Sequence, residues 1–361
     1  MRYRPYITIL LLLFSAGILS AQTYSEKKTY IKSLPVNRDM TLEIDNKYGT
    51  IHITSWNTDS VEIKAEVEAY ASDHDRLDKM FREVDVNITG SSYLIRAETN
   101  FKQSISMLFE AFKGLTSNII PYESKLQINY FINAPDYLDI RITNKYGDVY
   151  MENNTGTLTL NLSNGAFKAN YLNQIKGDEL LFCNATINKI NDGRLNVSFS
   201  EMEIDESQNL NITSISSKLN LEKAETIRTE SRRDKYYIGI AGSLTGDSYF
   251  TDFRIEELQR DINIDTKYGE IDVDFISKGM EIITINSDYT DISLTFDPSV
   301  SYNLDVRHLN AFLILPDRTY NIEKKTLSEE RKEYMTYGTV GHNPGNTKVI
   351  INATKGNIYL K

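Results

Sequence analysis

The sequence predicts an all-β chain wound as a single-stranded parallel β-helix, with two helical insertions in its N-terminal third. Three observations lead there. A corner string recurs at Asn46-Lys47-Tyr48-Gly49, Asn144-Lys145-Tyr146-Gly147 and Thr266-Lys267-Tyr268-Gly269. Each copy runs into two-residue alternation, as in Ile51-His52-Ile53, Val149-Tyr150-Met151 and Ile271-Asp272-Val273, the pattern of a half-buried strand entered from a turn. Comparable turns return at steps of about 15–21 residues, too short for a propeller blade or a helical repeat and suited to one solenoid coil.

The elements follow in chain order. Residues 1–21 carry a basic start (Arg2, Arg4), an apolar run from Ile7 to Leu19 and small residues at Ser20-Ala21. These are the parts of a secretory signal peptide, with cleavage expected after Ala21, and the run is short for a membrane span. No cysteine follows it to take a lipoprotein anchor, and no later segment approaches 18 apolar residues. The expectation is an exported protein of the periplasm or cell surface, with residues 22–361 forming one β-solenoid domain and no transmembrane segment in the mature chain.

Helical spacing interrupts the strands twice. Near 72–84, Leu77, Met80, Phe81 and Val84 form an i, i+3, i+4, i+7 stripe behind a Ser or Asp cap. Near 103–119, Ile105, Leu108, Phe109, Phe112 and Leu115 form a second. Such helices either cap the open end of the solenoid or dock a protein or membrane partner. A solenoid's first coil exposes strand edges that need cover, which favours the cap.

Strand grammar resumes at Leu158-Thr159-Leu160-Asn161-Leu162 and persists through Leu180–Ile187, Leu195–Phe199, Leu210–Ile215 and Lys218–Leu221 to Ile262–Asp265. Ser287-Asp288-Tyr289-Thr290 is a degenerate corner 21 positions after the third copy, and Thr354-Lys355-Gly356-Asn357 opens a last coil. The segments are rich in Ile, Val, Thr, Tyr and Phe, which suit pleated surfaces. An antiparallel sandwich would instead need repeated Asn-Gly or Asp-Gly hairpin turns, and these are only isolated here. The polar stretch near 317–346 breaks the rhythm and reads as a surface excursion with a short charged helix near Thr326–Tyr334.

At this point the residues resemble a known family. The segment Thr41-Leu42-Glu43-Ile44-Asp45-Asn46-Lys47-Tyr48-Gly49-Thr50-Ile51-His52-Ile53-Thr54-Ser55-Trp56 is similar to the opening of the bacterial exported putative adhesin family of unknown function, related to the head-GIN-domain adhesins. Ile132-Asn133-Ala134-Pro135 with Leu138–Val149, and the glycine-rich turn Gly338–Gly345 with the closing Val349–Leu360, resemble its core and ending. The resemblance runs from about Leu42 to the end; the helical insertions and the polar excursion depart from it. It implies a right-handed parallel β-helix on an exported protein, and it supplies no catalytic residues.

Composition narrows the chemistry. The chain of 361 residues has a formal charge of −10 and no basic block, which argues against nucleic-acid binding. Its single cysteine excludes a disulfide framework and multi-thiolate metal sites, and Cys183, in the apolar run Leu180–Ile187, reads as a small core residue. His52, His74, His308 and His342 are scattered, and no nucleophile elbow, phosphate loop or metal motif occurs. No catalytic residue, cofactor or metal is therefore assigned.

Two constellations remain. Tyr48, Tyr146, Tyr268 and Tyr289 occupy equivalent corners, with the last two one coil apart; exposed rings in a row could stack on sugars or meet a protein, whereas buried rings would only fill the solenoid corners as scaffold. Aligning Tyr268 with Tyr289 also sets Glu270 beside Asp291, with Asp272 pointing to the same side. The first supports a non-enzymatic, adhesin-like or scaffold protein of the cell envelope, with a glycan or envelope protein as partner. The second supports the alternative of a carbohydrate-active β-helix enzyme. A third reading is an envelope-signalling protein acting through the N-terminal helices.

Overall fold

The computed structural model describes residues 24–71, 73–102, 124–317 and 319–361. The expected signal peptide and the second helical insertion lie outside the described residues. The N-terminal part holds β1 (Tyr24–Pro35), β2 (Thr41–Lys47), β3 (Ile51–Ser55), β4 (Ser60–Ala71), α1 (His74–Glu83), β5 (Val84–Gly90), β6 (Leu94–Phe101) and β7 (Ser124–Ala134). The body runs through β8 (Asp139–Lys145), β9 (Val149–Ser163), β10 (Ala166–Leu181), β11 (Asn184–Ser198), β12 (Glu201–Ile215), β13 (Lys218–Arg232), β14 (Lys235–Tyr249), β15 (Asp252–Ile276) and β16 (Ile282–Phe296). The C-terminal part holds β17 (Tyr302–Leu309), β18 (Phe312–Ile314), β19 (Thr319–Ser328), β20 (Glu333–Val340), β21 (Lys348–Thr354) and β22 (Asn357–Leu360).

In the body every strand pairs in parallel with the next in sequence, so the chain is a β-solenoid as the repeats predict. Between β11 and β12 the ladder runs over Asn184–Ile187, Lys189–Ile190 and Asp192–Ser198, lapsing at two bends. Alternation turns one residue in two inward. Phe167, Ala185, Met202, Leu219, Tyr236, Phe253, Ile271, Ile292 and Ile358 stack in register as one interior column, all buried. Burying a large side chain of this kind contributes about 1.5–3 kcal/mol, so many similar coils suffice without a disulfide.

Both ends depart from sequential winding. At the N-terminus β2 and β3 lie against β8 and β9, and β6 and β7 are laid outside them. Antiparallel strands then close the stack: β5 on β6, β4 on β7 and β1 on β4. At the C-terminus β21 and β22 insert between β16 and the earlier strands β17 and β18, while β20 lies antiparallel on β17 and β19 antiparallel on β20. The ends are thus sealed by insertions, which satisfy edge groups that a bare coil would expose.

Helix α1 confirms the first insertion at His74–Glu83. The Asp73 side chain accepts from Arg76 N at 2.8 Å as its N-cap. Leu77 and Phe81 are buried and Met80 packs beside them, against β4, β1 and β5. The stripe is turned onto the solenoid, as a cap requires.

The polar excursion is not as expected. Instead of a helix near Thr326–Tyr334, β19 and β20 form an antiparallel hairpin, and the charged run Glu329–Lys332 is its turn. Arg331 N donates to Ser328 Oγ at 3.3 Å and Lys332 takes φ 53° there. Local helical charge spacing loses because β20 also pairs along β17, so tertiary ladder bonds decide the segment.

Candidate functional site

Each coil closes at one corner through a residue in the left-handed region. In chain order these are Tyr48, Tyr146, Asn164, Phe182, Phe199, Ser216, Arg233, Phe250, Tyr268, Tyr289, Asn310 and Lys355, with φ between 47° and 66°. Their amides form a ladder across coils: Phe182 N donates to Ser198 O at 3.1 Å, Phe199 N to Ile215 O at 2.9 Å and Phe250 N to Lys267 O at 2.9 Å. Glycine would sit in this conformation without strain, yet none of these twelve corners is glycine. The conformation recurs from coil to coil whatever the side chain, so it belongs to how the coils close.

The residues around the corner explain the repeated string. Two positions before Tyr146, the buried Asn144 donates through Nδ2 to Gly49 O at 3.1 Å and to Asp148 O at 3.3 Å, tying the corner to the next coil. One position after it, a Cβ on Gly147 would come 1.9 Å from Gly49 O. From Cys183 to Thr251 that inner place carries polar side chains that serve the neighbouring backbone. Cys183 N donates to Ser200 Oγ at 2.9 Å, Ser200 N to Ser217 Oγ at 3.2 Å and Ser217 N to Asp234 Oδ1 at 2.7 Å. Cys183 is buried, as its run predicts, and burial pushes its thiol up.

Outside, the corner residues make stacks of rings. Tyr48 and Tyr146 stack at 5.5 Å between centroids, Phe182 and Phe199 at 5.2 Å, Phe250 and Tyr268 at 4.8 Å, and Tyr268 and Tyr289 at 5.0 Å. Lys355 Nζ lies 4.1 Å over the Tyr289 ring and closes the last stack. Tyr268 and Tyr289 are therefore neighbours, as their spacing predicts. The Tyr48–Tyr146 pair stands at the far end of the same ridge, seven coil steps or about 34 Å from Tyr268 at ordinary strand spacing.

Rings stacked face to face turn their edges outward and cover one another's faces. The ladder's interruptions change this. Asn164 precedes Phe182 and Ser216 follows Phe199, so each phenylalanine has one face beside a smaller, polar corner residue. Phe182 and Phe199 are accordingly the most exposed rings of the ridge, at 54% and 52%, above Phe250 at 46% and Tyr289 at 43%. Reading the Lys-Tyr-Gly string alone misses Phe182, Phe199 and Phe250. Their signal is an exposed aromatic residue directly before a small buried one, 17 or 18 residues from the next such pair.

The carboxylates also fall in register. Glu270 lies opposite Asp291, and Asp272 opposite Ser293. Both aspartates have partners: Asp291 Oδ1 accepts from Asn357 N at 2.7 Å and Asn357 Nδ2 at 3.1 Å, and Asp272 Oδ2 is 4.0 Å from Arg254 Nε of the adjoining coil. Among the described residues no group of three His, Cys, Asp or Glu side chains is placed to hold a metal ion. Of the histidines, His52 is sandwiched between Phe131 at 5.4 Å and Tyr150 at 4.7 Å, while His308 is buried.

No family model matches the chain, and no curated protein matches it. Among solved structures the chain is similar to a putative cell adhesion protein from Clostridium sporogenes at 11% identity, covering 93% of this chain and 100% of that one, with a TM-score of 0.20. It is similar to a putative adhesin from Parabacteroides distasonis at 11% identity, covering 74% and 93%, with a TM-score of 0.32. A putative adhesin from Bacteroides fragilis is similar at 12% identity, covering 92% and 98%, with a TM-score of 0.26. Among the described residues no helix is long and apolar enough to cross a membrane.

Proposed function

We propose that this chain is an exported, non-enzymatic β-solenoid with an adhesin-like role at the cell envelope, binding glycan through the aromatic ridge on its left-handed corner. The observation that carries the reading is the Phe182–Phe199 pair, stacked at 5.2 Å and about half exposed on a rigid ladder. Contiguous exposed apolar surface points to an interaction site, and Phe182 and Phe199 are adjacent members of one aromatic ridge. The outer faces of the pair are flat apolar platforms, and a pyranose ring presents a matching face of C–H groups. Asn164 and Ser216 add amide and hydroxyl groups that can bond sugar hydroxyls beside the rings. The Phe250–Tyr268–Tyr289 run lengthens the ridge, with Lys267 and Lys355 over its phenol rings.

The enzyme alternative rests on Glu270, Asp272 and Asp291, and two of these three already carry structural partners. A glycan-array and cell-wall-polysaccharide screen of residues 22–361, with product release assayed in the same wells, separates the readings. Binding without product release is expected. Product release lost in Glu270→Gln or Asp291→Asn would overturn the proposal and install the enzyme.

A further inference from the structure

A concave stretch of the outer wall lies on the third ladder of each coil, over β10 to β13, away from the aromatic ridge. It forms a groove of about 560 Å³ lined by Lys176, Arg194, Arg228, Asn209, Asn211 and Asp192, among others. Lys176 and Arg194 are direct cross-strand neighbours, and Arg194, Asn211 and Arg228 continue the same column over the next two coils. At ordinary strand spacing the column spans about 14 Å.

The charge pattern is what needs explaining. Elsewhere on the solenoid several cations are matched to a carboxylate of an adjoining coil: Lys189 to Glu206 at 2.9 Å, Lys218 to Glu201 at 2.6 Å and Lys267 to Asp288 at 2.9 Å. In the column, the cross-strand partners are instead Thr159 and Arg194 for Lys176, Asn211 for Arg194, and Asn211 and Thr245 for Arg228. None of the three cations has an ion pair among the described residues. Like charges directly opposite each other in a sheet repel, and the protein as a whole is acidic at −10. The nearest carboxylate on the groove floor, Asp192, accepts from Asn209 Nδ2 at 2.8 Å; Asp178 and Glu230 stand two residues along their strands at the rim.

We infer that this groove binds an anionic polysaccharide, whose carboxylate or sulfate groups neutralise the Lys176–Arg194–Arg228 column while its hydroxyls meet Asn209, Asn211 and Thr226. A chain lying along the solenoid axis passes the three cations in turn, and Arg194 and Arg228 offer planar forks suited to carboxylate or sulfate oxygens. Nucleic acid fits less well, because three cations on an acidic body neutralise few phosphates and the groove contains no ring for a base to stack on. The inference is independent of the aromatic ridge, since none of its residues is a corner residue.

The test titrates residues 22–361 with oligogalacturonate, a sulfated heparin oligosaccharide and a neutral malto-oligosaccharide of equal length, in wild type and in Lys176→Gln/Arg194→Gln/Arg228→Gln. One or both anionic chains are expected to bind, with affinity falling as salt rises, and the two arms distinguish carboxylate from sulfate as the anion. The triple variant is expected to weaken that binding roughly tenfold to a hundredfold, with a melting temperature equal to or above wild type because a repulsion has been removed. Anionic binding that survives in the triple variant would overturn the inference. So would absence of anionic binding, equal binding of the neutral chain, or tighter binding of a single-stranded oligonucleotide.

Discussion

Phe182 and Phe199 stand 17 positions apart in sequence, and their rings lie 5.2 Å apart at an interplanar angle of 22°. Both backbones are left-handed, at φ 52° and 51°. Placing two bulky side chains there costs roughly 1–2 kcal/mol each, and leaving them half exposed recovers little of it by burial. Stacking offsets part of the cost. The same left-handed conformation recurs at all twelve corners, so it belongs to how the coils close, and the relationship makes several consequences measurable.

The inner side of the corner is expected to tolerate no added atom where coils touch. Gly147→Ala sets a Cβ 1.9 Å from Gly49 O and 2.6 Å from Gly49 C, both backbone atoms that cannot swing aside. The expected loss is about 3 kcal/mol or more, read as a lowered urea midpoint. A wild-type midpoint in this variant would show that the coils are not in contact at this corner.

A buried carboxylate holds the middle of the stack. Asp234 Oδ1 accepts from Ser217 N at 2.7 Å, and Oδ2 from Ser214 Oγ at 2.8 Å, Ser231 Oγ at 2.7 Å and Arg232 N at 2.9 Å. Asp234→Asn turns an amide N–H toward one of these donors, with an expected cost of about 2–4 kcal/mol. Asp234→Ser, which copies Ser217 and Ser200 of the preceding coils, is expected to cost less because it keeps an acceptor for Ser217 N. Equal unfolding midpoints for the two variants would contradict this account of the network.

Acid is expected to loosen the C-terminal cap. Burial lowers His308 below its usual 6.5, with Lys324 adding to the effect, and its Nε2 is buried without a hydrogen-bond partner while Nδ1 faces Ala311 O at 3.0 Å. The unfolded chain therefore binds this proton more readily than the folded one, so stability falls as pH drops below 6.5 toward the lowered folded value. His52, lowered by its own burial, adds to the same slope. Glu66 and Glu333, both lowered from 4.5, lose their contributions only in more acidic solution. Melting temperatures at about pH 7.5 and 5.5 should differ, less so in His308→Leu. An unchanged difference in that variant would remove His308 from the explanation.

Much of this was legible in the residues. The string Lys-Tyr-Gly marks a left-handed corner followed by a point of coil contact, and aligning two copies put Glu270 beside Asp291, where the sheet register has them. The Leu77–Phe81 stripe likewise announced a helix packed on the fold. The order of coils at the ends was not legible, because β21 carries the same alternation as β17 and nothing local says which of them touches β16. The β19–β20 hairpin escaped for a related reason, since β20 is chosen by pairing with β17 and β19 by pairing with β20. The ring ladder is only half legible in the residues: tyrosine before glycine is conspicuous, whereas Phe182 before Cys183 and Phe199 before Ser200 disclose the same corner only once the period is laid over them.

The central claim is that the exposed rings of the corner are the binding surface. Its most direct test compares wild type with Phe182→Ala/Phe199→Ala on the same glycan array and the same insoluble cell-wall polysaccharides, with the melting temperature recorded alongside. The account predicts that retention on the bound glycans drops about tenfold or more while the melting temperature moves little, because both rings are half in solvent already. Undiminished retention by a folded double variant would contradict it.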